Sequence, residues 1–430
     1  MSSTGMAVGV SATPPPDVGC RLDDSGRDSS QALVKVFMMD LLCYTPHYDR
    51  YLCEALAVEK IETVLGAVCP YQDPDYFTKN GLRNNPGPVD VIPKLRISND
   101  TLRRALMLVE SCINMAALLA RFAVSKPDIV HIQWIPLVRK VPFEIWFLGF
   151  VKKLGIKLVY TVHNVLPHDT GKKFVPVFTR VYREMDALIC HTEGAKSRLV
   201  LEFSVNPRRV WVIPHGPLLH DAKRRSMQAS KAQLSVPEDV TLVVFQGFIR
   251  PYKGLNFLLQ AWHKLDASSL NARLLIAGTG ESELLKAIKE QVASLGLQGS
   301  VQLDFRFILD EALPTYYQAS DVLVYPYKEV TTSGALMAAV AYRKAIVATS
   351  LPAFQEVLRD KETALLVDYG DAEALASSLR RLILAPKERE RLSFELASDA
   401  SLNSWSRIAR ETRHCYASVL QDRAAETTAL

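Results

Sequence analysis

The sequence predicts an α/β fold of two doubly wound, Rossmann-like domains that face one another across a cleft. Three observations lead there. Short apolar runs alternate with stretches of helical period along most of the chain, the pattern of βαβ units and parallel sheets. The alternation breaks once, over the polar residues 218–239, and then restarts. The 430 residues suffice for two or three domains at about 150 residues each.

The elements follow in order. Residues 1–30, with consecutive prolines at Pro14 to Pro16 among Ser, Gly and Asp, read as a disordered leader. Residues 31–217 form the first domain. Its opening strand is VKVFMMDLL (34–42), and a helix over 51–60 follows the loop Pro46-His47-Tyr48-Asp49-Arg50. Residues 102–124 carry apolar side chains at helical spacing. DIVHIQW (128–134) is a strand, 143–154 a helix and KLVYTVH (157–163) a short buried strand, with two more strands at 187–191 and 210–214. The stretch 218–239 contains Lys223, Arg224 and Arg225, shows no period and reads as the linker region.

Residues 240–400 repeat the pattern. Strands fall at 241–246, 273–277, 301–305, 321–325 and 345–349, and helices at 255–265, 282–295, 311–319 and 334–342. Helical period returns at 371–384, 387–398 and 404–421, so residues 401–430 read as a C-terminal helix and tail.

Composition is that of a folded enzyme, 48% hydrophobic and 23% charged, which excludes wholesale disorder and collagen-like repeats. A net charge of +5 over this length does not point to nucleic acid. The seven cysteines are scattered without a C-x-x-C pair, so neither a zinc site nor a disulfide framework is expected. The reading expects no tightly bound metal and no cofactor. It also finds no apolar run of transmembrane length and no basic signal-peptide start, and expects a cytoplasmic protein. The segment 137–157 joins Arg139, Lys140, Lys152, Lys153 and Lys157 to Phe143, Trp146, Phe147 and Phe150. It reads first as a sheet-packed helix with a solvated basic end, and peripheral membrane contact stays open.

Ligands of such sheets bind at the carboxyl ends of strands, so the loops there carry the candidate chemistry. Gly247 to Gly254 (GFIRPYKG) joins a strand to a helix. Gly247 permits close backbone approach, and Arg250 with Lys253 could hold a diphosphate as fork and point charge. A second loop runs from Pro326 through Glu329 to Ser333-Gly334, where a helix start favours an anion. Ser333 also reads as a plain N-cap, and Glu329 as an acceptor for sugar hydroxyls. His163 and Asn164 close the strand KLVYTVH, with His168 and Asp169 behind them.

In chain order, TVHNVLPHD, VIPHG, GFIRPYKG, LLIAGTGE and DEALPTYYQASDVLVYPYKE resemble the retaining family-4 glycosyltransferases of the GT-B fold. The resemblance spans roughly residues 34 to 385. It implies a nucleotide-sugar donor on the C-terminal domain and a hydroxyl acceptor on the N-terminal one: a glycan, a lipid-linked molecule or a small molecule. Arg250 and Lys253 would hold the donor diphosphate, Glu329 and His163 would stand near the donor sugar, and Gly247, Ser333 and Gly334 would offer backbone. Four departures stand out. Ala338 takes the place of the family's second Glu, which usually holds the ribose, and the same alignment puts Glu329 one residue out of register. Phe248 stands where Arg is usual. The loop containing Pro46 to Arg50 replaces a glycine-rich one. The alternatives kept beside transfer are a nucleotide-sugar epimerase or hydrolase and a catalytically silent nucleotide-sugar-binding module.

Overall fold

The computed structural model describes residues 33–428 except 69–72, 74, 83, 86, 96, 98, 136, 139–142, 167–171, 266 and 399–403. The leader, His168, Asp169, Arg139 and Lys140 therefore lie outside the described residues.

Two parallel six-stranded sheets carry the fold. The first uses β1 (Lys35–Met39), β2 (Glu62–Gly66), β3 (Ile129–Ile132), β4 (Lys157–Val162), β5 (Ala187–Cys190) and β6 (Val210–Val212), in the order β2-β1-β3-β4-β5-β6. The second uses β7 (Thr241–Gln246), β8 (Ala272–Ala277), β9 (Val301–Asp304), β10 (Val322–Tyr325), β11 (Ala345–Thr349) and β12 (Leu365–Val367), in the order β12-β11-β10-β7-β8-β9. Central strands are buried on both faces, as β4 and β10 show, so they read as continuous apolar runs. The reading misses β2 and β12. Both are edge strands, short and only partly buried.

The helices of the first half are α1 (Pro46–Val58), α2 (Tyr76–Lys79), α3 (Asp100–Val124), α4 (Phe143–Lys153), α5 (Val175–Glu184) and α6 (Glu193–Phe203). Between the halves stands α7 (Met227–Gln233). The second half has α8 (Leu255–Leu265), α9 (Ser282–Ser294), α10 (Leu313–Ala319), α11 (Gly334–Tyr342), α12 (Pro352–Gln355), α13 (Ala372–Leu384) and α14 (Pro386–Ser398). The last helix is α15 (Trp405–Thr428).

Several expectations change. The residues Pro46 to Arg50 are the first turn of α1 rather than a loop before it. Proline fits the first helical position, where its missing N–H costs nothing. The expected linker holds α7, capped by Ser226 and tied to the second half by Lys231, whose ammonium bonds Asp321 (2.8 Å) and the Val240 carbonyl (2.8 Å). By length and composition α3 is apolar enough to cross a membrane. Arg103, Arg104, Glu110 and Arg121 interrupt the run as read along the chain.

Helix α15 returns to the first half. Ile408, Cys415, Tyr416 and Val419 join Val36, Met38, Tyr51 and Leu56 in one core, so residues at both ends of the chain close the same face of the first sheet. Trp405 packs on Tyr48 and Tyr51 and donates its indole N–H to the Pro217 carbonyl (2.8 Å). The opposite face is covered by α3, α4 and α5 through Phe122, Phe147 and Phe178.

Candidate active site

A cleft of about 530 Å³ opens between the two halves, a size within the usual range for small-ligand sites. Thr45, His47, Tyr48, Trp134, His163 and Asn164 line it from the first half, and Gln246, Gly247, Lys253, Thr332, Ser333 and Gly334 from the second. In the second sheet β7 and β10 are neighbours from which the strand order runs outward both ways, so their carboxyl ends flank the switch point where ligands settle.

Lys253 ends the short turn Pro251–Lys253 after β7. Its neighbour Gly254 has φ +69°, and a Cβ there would fall 1.8 Å from the Pro326 carbonyl oxygen. Only glycine lets the two loops meet so closely. Lys253 is buried, with its ammonium 3.8 Å from the Tyr327 ring centroid and no carboxylate partner among the described residues. Burial pulls it down to about 7. The cation is thus held by aromatic faces and left open toward an anion.

Beside it α11 begins. Ser333 caps the helix by accepting from the Leu336 N–H (3.3 Å), so the plain N-cap reading holds. Gly334 and Ala335 line the cleft at that helix start, where first-turn N–H groups lack partners inside the helix. Gly247 has φ +145° with nothing within 4 Å of a Cβ position, while its N–H donates to the Ala277 carbonyl (3.1 Å).

Arg250 and Glu329 stand apart. Neither lines the cleft. Arg250 is 42% exposed at the side chain and pairs with Glu281 (3.3 Å), and Glu329 is exposed. Ala338 does line the cleft, buried in the second turn of α11.

His163 lines the cleft with both ring nitrogens already engaged. Nδ1 meets His191 Nε2 (3.2 Å), and Nε2 meets the Gln133 side chain (3.0 Å). His191 Nδ1 donates to the Ile213 carbonyl (2.9 Å). Burial, then the neighbouring His191, His215 and His131 imidazoles, hold His163 well below the usual histidine range. It is a neutral ring stacked on Trp134, without a free ring nitrogen to offer.

Sequence reasoning missed the polar contacts across the cleft. His47 Nε2 donates to Asp310 (3.0 Å) while Nδ1 accepts from Tyr76 (3.1 Å). Lys79 pairs with Glu311 (2.5 Å). Glu356 accepts from the Glu193 and Gly194 N–H groups (2.8 and 3.1 Å), capping α6 from the other half. Gln246 accepts from Tyr317 OH (2.7 Å) at the cleft wall. A polar residue ending the apolar strand TLVVFQ just before Gly247 was the readable signal for Gln246.

The segment bordering the cleft from Asp40 to Asp49 is braced by two fully buried carboxyls. Asp40 accepts from the Thr45 N–H (2.8 Å), and the Thr45 hydroxyl lies 3.4 Å from each carboxyl. Burial raises Asp40 to about 6, and burial with the Asp40 charge raises Asp49 well above the carboxylate range. A pair with folded values above the unfolded ones stabilises below about pH 4 and loses that contribution as pH rises through 6. Asp49→Asn should therefore be more stable than the parent at pH 8 and nearly equal to it at pH 4. Urea melts at the two pH values check this; a gain of the same size at both would refute it.

Two sheets presenting strand ends to a shared cleft, with a cationic loop and a helix start on one wall, give the chain the architecture of the GT-B fold. Two family models match it: Glycosyltransferase Family 4 over residues 50–217 and Glycosyl transferases group 1 over 240–384. Together they span most of the chain, which belongs to the family-4 glycosyltransferases.

Curated relatives agree. A D-inositol 3-phosphate glycosyltransferase of Nocardioides sp. is 28% identical over 63% of this chain and 65% of its own length, just under two thirds. The one from Geodermatophilus obscurus is 25% identical over 82% of each. Among solved structures, sucrose-phosphate synthase from Thermosynechococcus elongatus matches with a TM-score of 0.70 at 19% identity, over 90% of this chain and 99% of its own. Anabaena HepE, solved with UDP and glucose, matches at 0.65 and 14%, over 92% and 100%. At these identities the structures speak for the fold.

Proposed function

We propose that the protein transfers a glycosyl group from a nucleotide-sugar donor to a hydroxyl acceptor with retention at the anomeric carbon. The observation that carries this is Lys253, a buried cation without a carboxylate partner among the described residues, which lines the cleft together with the start of α11. That wall suits the charge that grows on a leaving diphosphate. In the reaction the bond from C1 to the diphosphate oxygen breaks as the acceptor oxygen bonds C1 on the same face. The acceptor proton passes to the departing phosphate oxygen. Lys253 and the Gly334 and Ala335 amides stabilise the diphosphate, and Gly247 lets it approach the backbone. His163 acts as a positioning residue, its ring fixed by Gln133 and His191. Arg250 reaches the phosphates only by leaving Glu281, and Glu329 contributes from outside the cleft lining. Donor binding and transfer are proposed to need no metal; the described residues contain no cluster of three metal-ligand side chains.

The relatives' inositol phosphate acceptor sets the first acceptor to try. Thermal-shift screening with UDP-, GDP- and ADP-sugars, followed by turnover with an acceptor panel and NMR of the product anomer, tests the reading. A stabilising donor and a product of unchanged anomeric configuration are expected. Inversion overturns retention, donor breakdown without transfer assigns a hydrolase or epimerase, and binding without turnover leaves a nucleotide-sugar-binding module.

A further inference from the structure

Helix α3 is built the wrong way round for solvent. Its inward side holds Glu110, Ser111 and Asn114 beside Met115, Leu118 and Phe122. Glu110 accepts from the Val91 N–H (2.7 Å), and Asn114 exchanges hydrogen bonds with the Val89 backbone. Beyond its first turn, Arg104 is the one exposed polar residue of the helix, and its other exposed residues are apolar. Val109 is 55% and Ile113 45% exposed, with exposed alanines at Ala105, Ala116, Ala120 and Ala123 and Val124 at the end. A surface helix ordinarily shows the reverse arrangement.

The neighbouring helix extends the patch. Helices α3 and α4 pack together on the same face of the first sheet, so their outer sides look the same way. On α4, Trp146 is 60% and Phe150 54% exposed, one helical turn apart. Lys153 lies over the Phe150 ring (5.4 Å). An uncovered apolar surface of this extent marks an interaction site.

Charge selects the partner. Residues 101–157 hold nine lysines and arginines against three carboxylates, an excess of six where the whole chain has only +5. Two of those three carboxylates, Glu110 and Glu144, are buried. Lys152 and Lys157 pair with Glu184 and Asp186 outside this stretch, which leaves an excess of four on the stretch that carries the apolar face. Exposed aromatics and aliphatics bordered by cations fit the boundary between lipid headgroups and acyl chains.

We infer that the outer faces of α3 and α4 rest on an anionic lipid surface, both helices lying in its plane. Helix α3 does not cross the bilayer, because Met115, Leu118 and Phe122 are fixed in the sheet's core. Crossover helices run antiparallel to their strands, which puts the first turns of α3 and α4 at the strand ends where the cleft opens. The lipid surface would then border the mouth of the cleft. This inference stands apart from the transfer reading, since it concerns binding alone.

Sedimentation of the full chain with vesicles tests it. Vesicles of phosphatidylcholine and phosphatidylglycerol in equal parts should bind the protein at low salt, and high salt should weaken binding. Vesicles of phosphatidylcholine alone should bind at least about tenfold less. The double substitution Val109→Asp with Ile113→Asp should lose anionic binding by about tenfold or more with an unchanged melting temperature. Leu201→Asp, at an exposed apolar position on α6, should bind as the parent does. Failure of the parent to bind anionic vesicles overturns the proposal, as does equal binding by the double variant. Self-association of the parent that the double variant abolishes, without vesicle binding, assigns the face to a second copy instead.

Discussion

Lys253→Ala is expected to lower transfer turnover by about 100- to 1000-fold while the protein stays folded. The reason lies in two properties of one group. Its ammonium lines the cleft beside the start of α11, where a leaving diphosphate gathers charge, and no carboxylate partner neutralises it among the described residues. Burial lowers it from 10.5 to about 7, so in the empty protein its charged form is penalised. That penalty is fully present below about pH 7 and fades as pH rises toward 10.5. At about 1.4 kcal/mol per pKa unit it amounts to a few kcal/mol. The alanine variant should therefore melt at a higher temperature than the parent at pH 6 and gain less at pH 9. Donor binding restores the charge, so binding by the parent should take up a proton near pH 8 and weaken as pH rises. Calorimetry in buffers of different ionisation enthalpy reads the uptake. Wild-type turnover in the variant would refute the role assigned to Lys253.

Trp405→Ala should cost about 3–5 kcal/mol of stability, the range for removing a large buried aromatic. The indole is buried against Tyr48 and Tyr51 and donates to the Pro217 carbonyl. A Cβ on Gly216 would lie 2.4 Å from its ring, so backbone has closed around it. Its loss opens a cavity and strips a buried carbonyl of its donor. Trp405→Phe should recover most of the packing and leave roughly 1 kcal/mol lost with the hydrogen bond. Urea unfolding of both variants distinguishes the two contributions; equal losses would mean that packing contributes little.

Much of this architecture is legible in the chain because buried parallel strands leave uninterrupted apolar runs. KLVYTV and TLVVFQ could be read as strands without any tertiary knowledge. Edge strands β2 and β12 could not, since half-burial blurs the run. In the site, Lys253, Gly247, Ser333 and Gly334 were readable as loop chemistry after strands, and they line the cleft. Arg250 has the same sequence logic yet pairs with Glu281, because spacing within a loop does not say where a long side chain turns. The bonds of His163 to Gln133 and His191 cross between three strands, and His47 with Asp310 spans the two halves. Such pairs exist only once the fold is complete. Periodicity showed that α3 has two faces but not that Glu110, Ser111 and Asn114 are buried beside Met115, Leu118 and Phe122 on the inner one.

The return of α15 to the first sheet sets an order of completion during synthesis. The first half emerges early but lacks Trp405, Ile408 and Tyr416 until the second half has been made. The second half closes its core sooner after its own synthesis, with Leu392 and Leu396 of α14 the last residues it needs. The half made second can thus finish first, leaving the other with an open apolar face on a growing chain. A nascent chain stopped before residue 405 should engage holdase chaperones through the uncovered surface of α1. Release of the full-length chain should end that engagement.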